Sequence, residues 1–130
     1  MAKRKLGKIT MEPGARPEPH ELDTINYLAK LGRDIIILEQ IPHPGMHKPD
    51  IRMCKVEWEI KSPTGKSSNN IKRTFKVAIG QSDYLIFDLR RSPATDAQNT
   101  AKLLKEFHDI KKVKQMLVIT KTGEMLDFKK

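Results

Sequence analysis

The chain has 130 residues, 38% of them hydrophobic, one cysteine, and 25 Lys+Arg against 16 Asp+Glu, a formal charge of +9. That length fits one domain with a core that needs no covalent staples, and a lone Cys54 excludes an internal disulfide framework. The longest strictly apolar runs, Ile35–Leu38 and Met116–Ile119, hold four residues each, where a membrane helix needs roughly 20, so no membrane partner is expected. No apolar segment of a secretory leader follows the basic start Met1–Lys8, which makes the cytoplasm the expected place of action.

Residues 1–18 read as a basic, flexible tail, with Pro13, Pro17, two glycines and a cation cluster but no apolar period. Residues 19–130 read as a single domain. Its first helix is predicted from Pro19 to Leu31, with Leu22, Ile25, Leu28 and Ala29 on one stripe. Gly32 stands where a left-handed residue would end it. Asp34–Glu39 is rich in β-branched residues and reads as a buried strand. Pro42, Pro44 and Pro49 make the next stretch a loop. Strands over Asp50–Met53 and Val56–Ser62 follow as a hairpin. In the second, Val56, Trp58 and Ile60 alternate with Glu57, Glu59 and Lys61, a period of two. Ser68–Gln81 carries Ile71, Phe75, Ala78 and Ile79 at helical spacing. Tyr84–Leu89 reads as a strand, and Thr95 with Gln98 as a capping box opening a helix to about Lys112. Gln115–Thr120 and Met125–Phe128, split by Thr122-Gly123, read as a terminal hairpin. The order α-β-β-β-α-β-α-β-β defines a mixed α/β layer architecture.

Excess Lys and Arg attract polyanions by neutralising phosphates and releasing counterions. Five basic and two acidic residues lie in the first 20 positions, leaving 20 of the 25 basic and 14 of the 16 acidic residues in the body. The bias therefore belongs to the whole chain, and a nucleic-acid partner is expected. Aromatic residues are only 5% of the chain, which argues against binding by base stacking.

The chemistry-bearing stretch is Pro49-Asp50 followed by Glu59-Ile60-Lys61. Residues two apart in a strand share a face, so Glu59 and Lys61 point together, and Asp50 on the neighbouring strand of the hairpin can meet them. Carboxylates hold a hard cation through oxygen, which activates water at a phosphodiester, while a lysine stabilises developing negative charge. The pattern Asp/Glu-x-Lys recurs at Asp109/Lys111 and Asp127/Lys129; only Glu59 has Pro-Asp a hairpin's distance upstream. A solvated charged face of the hairpin is the competing explanation.

At these residues the sequence resembles the PD-(D/E)xK nuclease superfamily, whose restriction-endonuclease-like core runs α-β-β-β-α-β. The resemblance covers roughly Pro19 to Leu89, leaving a C-terminal helix and β-hairpin as additions. The wider text is similar to the C-terminal tRNA-cleaving toxin domains of contact-dependent growth inhibition proteins. It is carried by Pro49-Asp-Ile51, Trp58-Glu-Ile-Lys-Ser-Pro-Thr-Gly65, Asn70-Ile71, and Gln81 with Leu85-Ile-Phe-Asp-Leu-Arg90. It implies metal-dependent hydrolysis of phosphodiester bonds, in structured RNA such as tRNA ahead of DNA. It also implies Asp50 and Glu59 as ligands of Mg2+ or Mn2+, the Ile60 carbonyl as a third, and Lys61 as the catalytic lysine. Glu21 would be the helix-borne acidic residue of the site; an ordinary first-turn glutamate is its alternative. With an RNA substrate, the expected partner is an acidic inhibitor or immunity protein, since a cytoplasmic nuclease endangers its own cell.

Lys72, Arg73 and Lys76 on a helix, and Arg90-Arg91 at a strand end, are candidates to grip phosphates or ordinary solvated cations. Glu57 reads as a salt-bridge partner, Ser68-Asn-Asn70 as helix capping and Cys54 as a hairpin residue. His43 and His47 flank the Asp50 loop, where prolines forbid the helix that would pair them on zinc. One of them as general base in metal-free RNA cleavage is the rival mechanism.

Overall fold

A computed structural model describes residues 5–40, 48–65 and 69–130. These hold seven strands and three helices, a mixed α/β fold: β1 (Ile9–Met11), α1 (Pro19–Lys30), β2 (Ile35–Ile37), β3 (Ile51–Met53), β4 (Val56–Lys61), α2 (Asn70–Ile79), β5 (Tyr84–Asp88), α3 (Asp96–Asp109), β6 (Gln115–Ile119) and β7 (Met125–Lys129). The chain groups into two compact units, Met1–Trp58 and Glu59–Lys130. The division falls within β4.

In the first unit β1 pairs parallel with β2, and β2, β3 and the start of β4 are antiparallel neighbours. The strand β1 corrects the expectation of a structureless tail. All three of its residues are exposed, so it shows no apolar period; its order comes from backbone bonding to β2 and from the continuation of the ladder by the Glu12 N–H to Ile37 O bond. Helix α1 begins with Pro19 at its first position, where a missing N–H costs nothing. It buries Ile25, Leu28 and Ala29, while Leu22 stays exposed. Gly32, at φ 90°, follows it in the left-handed region. Between β3 and β4 the chain turns through Cys54 and Lys55, both at positive φ. This is the geometry of a two-residue hairpin turn whose twist matches that of its strands. Trp58 lies buried and donates its indole N–H to Met53 O at 2.9 Å.

In the second unit the end of β4, β5 and β6 run parallel, and β7 returns antiparallel to β6. Helices α2 and α3 bury Ile71, Phe75, Leu103 and Phe107 against Leu85, Phe87, Met116 and Val118. Phe75 and Phe87 stack with centroids 5.7 Å apart, worth about 1 kcal/mol beyond burial alone. The capping box at α3 forms as expected, Gln98 N–H to Thr95 Oγ1 and Thr95 N–H to Gln98 Oε1.

Candidate active site

Helix α1 and the turn into β3 bring Glu21 and Asp50 to one cavity of about 20 Å³ in the first unit, with Arg16, Pro17, Ile25 and Gln40 among its walls. That space admits roughly one water-sized particle. Glu21 is also half of a helix cap, since its Oε1 accepts the Glu18 N–H at 2.7 Å. It thus combines the first-turn role open to any glutamate with a place at the cavity. Asp50 is fixed through its backbone: its N–H donates to Trp58 O and its carbonyl accepts the Leu38 N–H, both at 3.0 Å. The next residue along β4 is Glu59.

Glu59 is 3% exposed. Its register partner on β5 is Leu85, and that of Lys61 is Phe87. Paired residues of parallel strands share a face, so Glu59 and Lys61 lie on the side that carries α2 and α3. Period two alone suggests a half-solvated charged row; an interior parallel strand with a helix layer over it instead buries the carboxylate. Glu59 Oε2 stands 3.2 Å from Lys61 Nζ, and the ammonium offsets the desolvation of the buried charge. Among the described residues no three His, Cys, Asp or Glu side chains gather as a metal cage. The donors in question are hard carboxylate and carbonyl oxygens, the chemistry that Mg2+ and Mn2+ take in small numbers beside water.

The other candidates separate. Lys72, Arg73 and Lys76 are exposed on α2 and, with Asn69, line an open concavity of the second unit. Arg90 is held by Asp88 instead, with Nε 2.9 Å from Oδ1 and the terminal Nη2 2.7 Å from Oδ2. Arg91 is exposed. Glu57 pairs with Arg52 across β3 and β4 at 2.8 Å, the salt-bridge role expected of it. Cys54 is an exposed turn residue. His43, His47 and Ser68 lie outside the described residues.

Arg16 escaped the sequence reading because it sits in a segment with no period. The signal that could have found it is its place between Pro13-Gly14 and Pro17-Glu-Pro19, a pattern of turn and helix start. Upstream, the Glu12 carboxylate accepts the Glu39 N–H at 2.8 Å and lies 3.7 Å from Lys48 Nζ. The Glu39 N–H bond, opposed by desolvation and helped by Lys48 and Arg52, holds the Glu12 carboxyl below the usual carboxylate range. A group held low contributes stability above its unfolded pKa, about 4.3, and loses it as pH falls through the folded value. Glu12→Gln is therefore expected to destabilise at pH 7 and to cost less at about pH 3, as read by urea unfolding. An equal loss at both pH values would show that the charge of Glu12 plays no part.

The structure is a mixed α/β fold with acidic residues at one cavity of the first unit and a buried glutamate–lysine pair at a strand end of the second. The chain belongs to the family described as "Contact-dependent growth inhibition CdiA C-terminal domain", whose sequence profile matches residues 47–125. Its fold is similar to that of a chain in a structure described as "CdiA-CT/CdiI toxin and immunity complex from Burkholderia pseudomallei". The TM-score is 0.68 at 23% identity, over 95% of this chain and all of that one; at that identity the likeness is one of fold. No curated protein matches the chain.

Proposed function

We propose that this domain is a toxin nuclease that hydrolyses phosphodiester bonds in structured RNA such as tRNA, with Mg2+ or Mn2+ as cofactor. The observation that carries the reading is the buried Glu59 carboxylate 3.2 Å from Lys61 Nζ in a chain of the CdiA C-terminal family. The order α1-β2-β3-β4-α2-β5 is that of the PD-(D/E)xK core, and the reading takes it as such. Asp50, Glu59 and the Ile60 carbonyl would hold the divalent ion. When bound, it would offset phosphate charge and make water a stronger nucleophile. The Lys61 ammonium stabilises the charge that develops on the phosphate, and Glu21 contributes a further negative group at the Asp50 cavity. Lys72, Arg73 and Lys76 grip backbone phosphates along α2, and the exposed Arg91 adds to the basic field. The proposed partner protein is an immunity protein with an acidic face, complementary to a chain of charge +9. The proposed place of action is the cytoplasm, where tRNA is available.

Incubating the protein with total tRNA and with plasmid DNA, in magnesium, manganese or EDTA, tests this. The expected result is loss of tRNA with either metal and none in EDTA. Cleavage of plasmid alone would make it a DNA endonuclease. Cleavage that survives EDTA would move the chemistry to a histidine base. Salt-sensitive binding without turnover would leave a catalytically silent nucleic-acid-binding module.

A further inference from the structure

We propose that Arg16 binds the substrate phosphate at the rim of the Glu21/Asp50 cavity, outside its water-sized space, making the segment after β1 part of the active site. The inference rests on the nuclease reading and adds a substrate-binding residue to it.

Three observations point to Arg16. Arg16 is exposed and lines the same cavity as the two carboxylates. Its backbone is fixed from both sides. Upstream, Glu12 N–H bonds Ile37 O and Ala15 N–H bonds Glu12 O, around Gly14 at φ 88°. That φ lies in the left-handed region, where any L side chain is strained, so the turn favours glycine. Downstream, Pro17 and Pro19 bracket the helix cap at Glu18, leaving few soft dihedrals between turn and helix. Finally, among the described residues no carboxylate ion-pairs with Arg16.

The carboxylates at the cavity repel a phosphodiester wherever the proposed metal ion does not offset their charge. A guanidinium at the rim opposes that repulsion, and its planar fork matches two phosphate oxygens. A cation serving only as counter-ion to Glu21 and Asp50 would act on stability instead.

Initial rates of tRNA cleavage (plasmid, if plasmid is what the protein cuts) across a salt series separate these roles for wild type, Arg16→Ala, Arg16→Lys and Asp50→Ala, with thermal melts on each preparation. Arg16→Ala is expected to lower kcat/KM about 10- to 100-fold, mainly through KM. It should also make the slope of log kcat/KM against log salt shallower by about 1, the signature of one lost phosphate contact. Arg16→Lys should restore the slope and part of the rate. An Arg16→Ala protein with wild-type rate and slope, beside an inactive Asp50→Ala, overturns the assignment and leaves the nuclease site standing. A lower melting temperature with unchanged slope overturns it in favour of a counter-ion. Full activity of Asp50→Ala removes the cavity from the chemistry, and Arg16 with it.

Discussion

Lys61→Ala is expected to reduce the proposed RNA cleavage about 10²- to 10³-fold, the loss typical when one preorganised stabiliser of developing charge is removed. The same change acts on the fold, because it strips the counter-ion from a carboxylate that is 3% exposed. Breaking a fully buried pair costs about 3–5 kcal/mol. The Lys61 side chain is 22% exposed, so water screens part of the charge and roughly 1–3 kcal/mol is the expected loss. The two effects separate experimentally. Activity is read well below the melting point of the variant, and Lys61→Arg keeps a cation near Glu59 while changing its reach and its hydrogen-bonding geometry. Recovery of stability but not of rate in Lys61→Arg marks a catalytic lysine. Wild-type kcat in Lys61→Ala, accompanied only by an earlier melt, would reduce Lys61 to a structural partner of Glu59.

What was legible in the sequence follows the range of the interaction behind each feature. The stripe at Ile25 and Leu28, the glycine after α1 and the Thr95/Gln98 box are set by neighbours within four residues, and each is present in the structure. Strand β1 is the opposite case. Ile9 pairs with Ile35, 26 residues on in the chain, and its exposed side chains leave no pattern to read. The motif Asp50, Glu59, Lys61 was visible as text, whereas the burial of Glu59 was not. Alternation along Val56–Lys61 suggests one wet face; parallel pairing with β5 and the helix layer on that face come from residues 71–118. Arg16 reaches its cavity only because a turn and two prolines direct it there, an outcome of ladder bonding that no periodicity reports.

Arg90→Ala is expected to lower the unfolding free energy by about 2–4 kcal/mol, a structural role where its sequence position beside Arg91 suggests a phosphate-gripping one. Asp88 ends β5 with 3% exposure, in a run that is otherwise apolar from Leu85 to Leu89. A carboxylate there needs compensation, and Arg90 supplies it three ways. Its Nε and Nη2 form a fork on the two oxygens, and its backbone N–H donates to Oδ1 at 3.1 Å. Removing the guanidinium leaves a buried charge short of its strongest partner. The one-third exposure of the Arg90 side chain keeps the expected loss below that of a fully buried pair. Arg91, exposed beside it, is the internal comparison: Arg91→Ala should change stability by less than about 0.5 kcal/mol yet weaken RNA binding and flatten its salt dependence. Urea unfolding and a filter-binding salt series on the two variants test the division of roles. A stable Arg90→Ala that loses RNA affinity as Arg91→Ala does would return Arg90 to the nucleic-acid surface and leave Asp88 compensated by other groups.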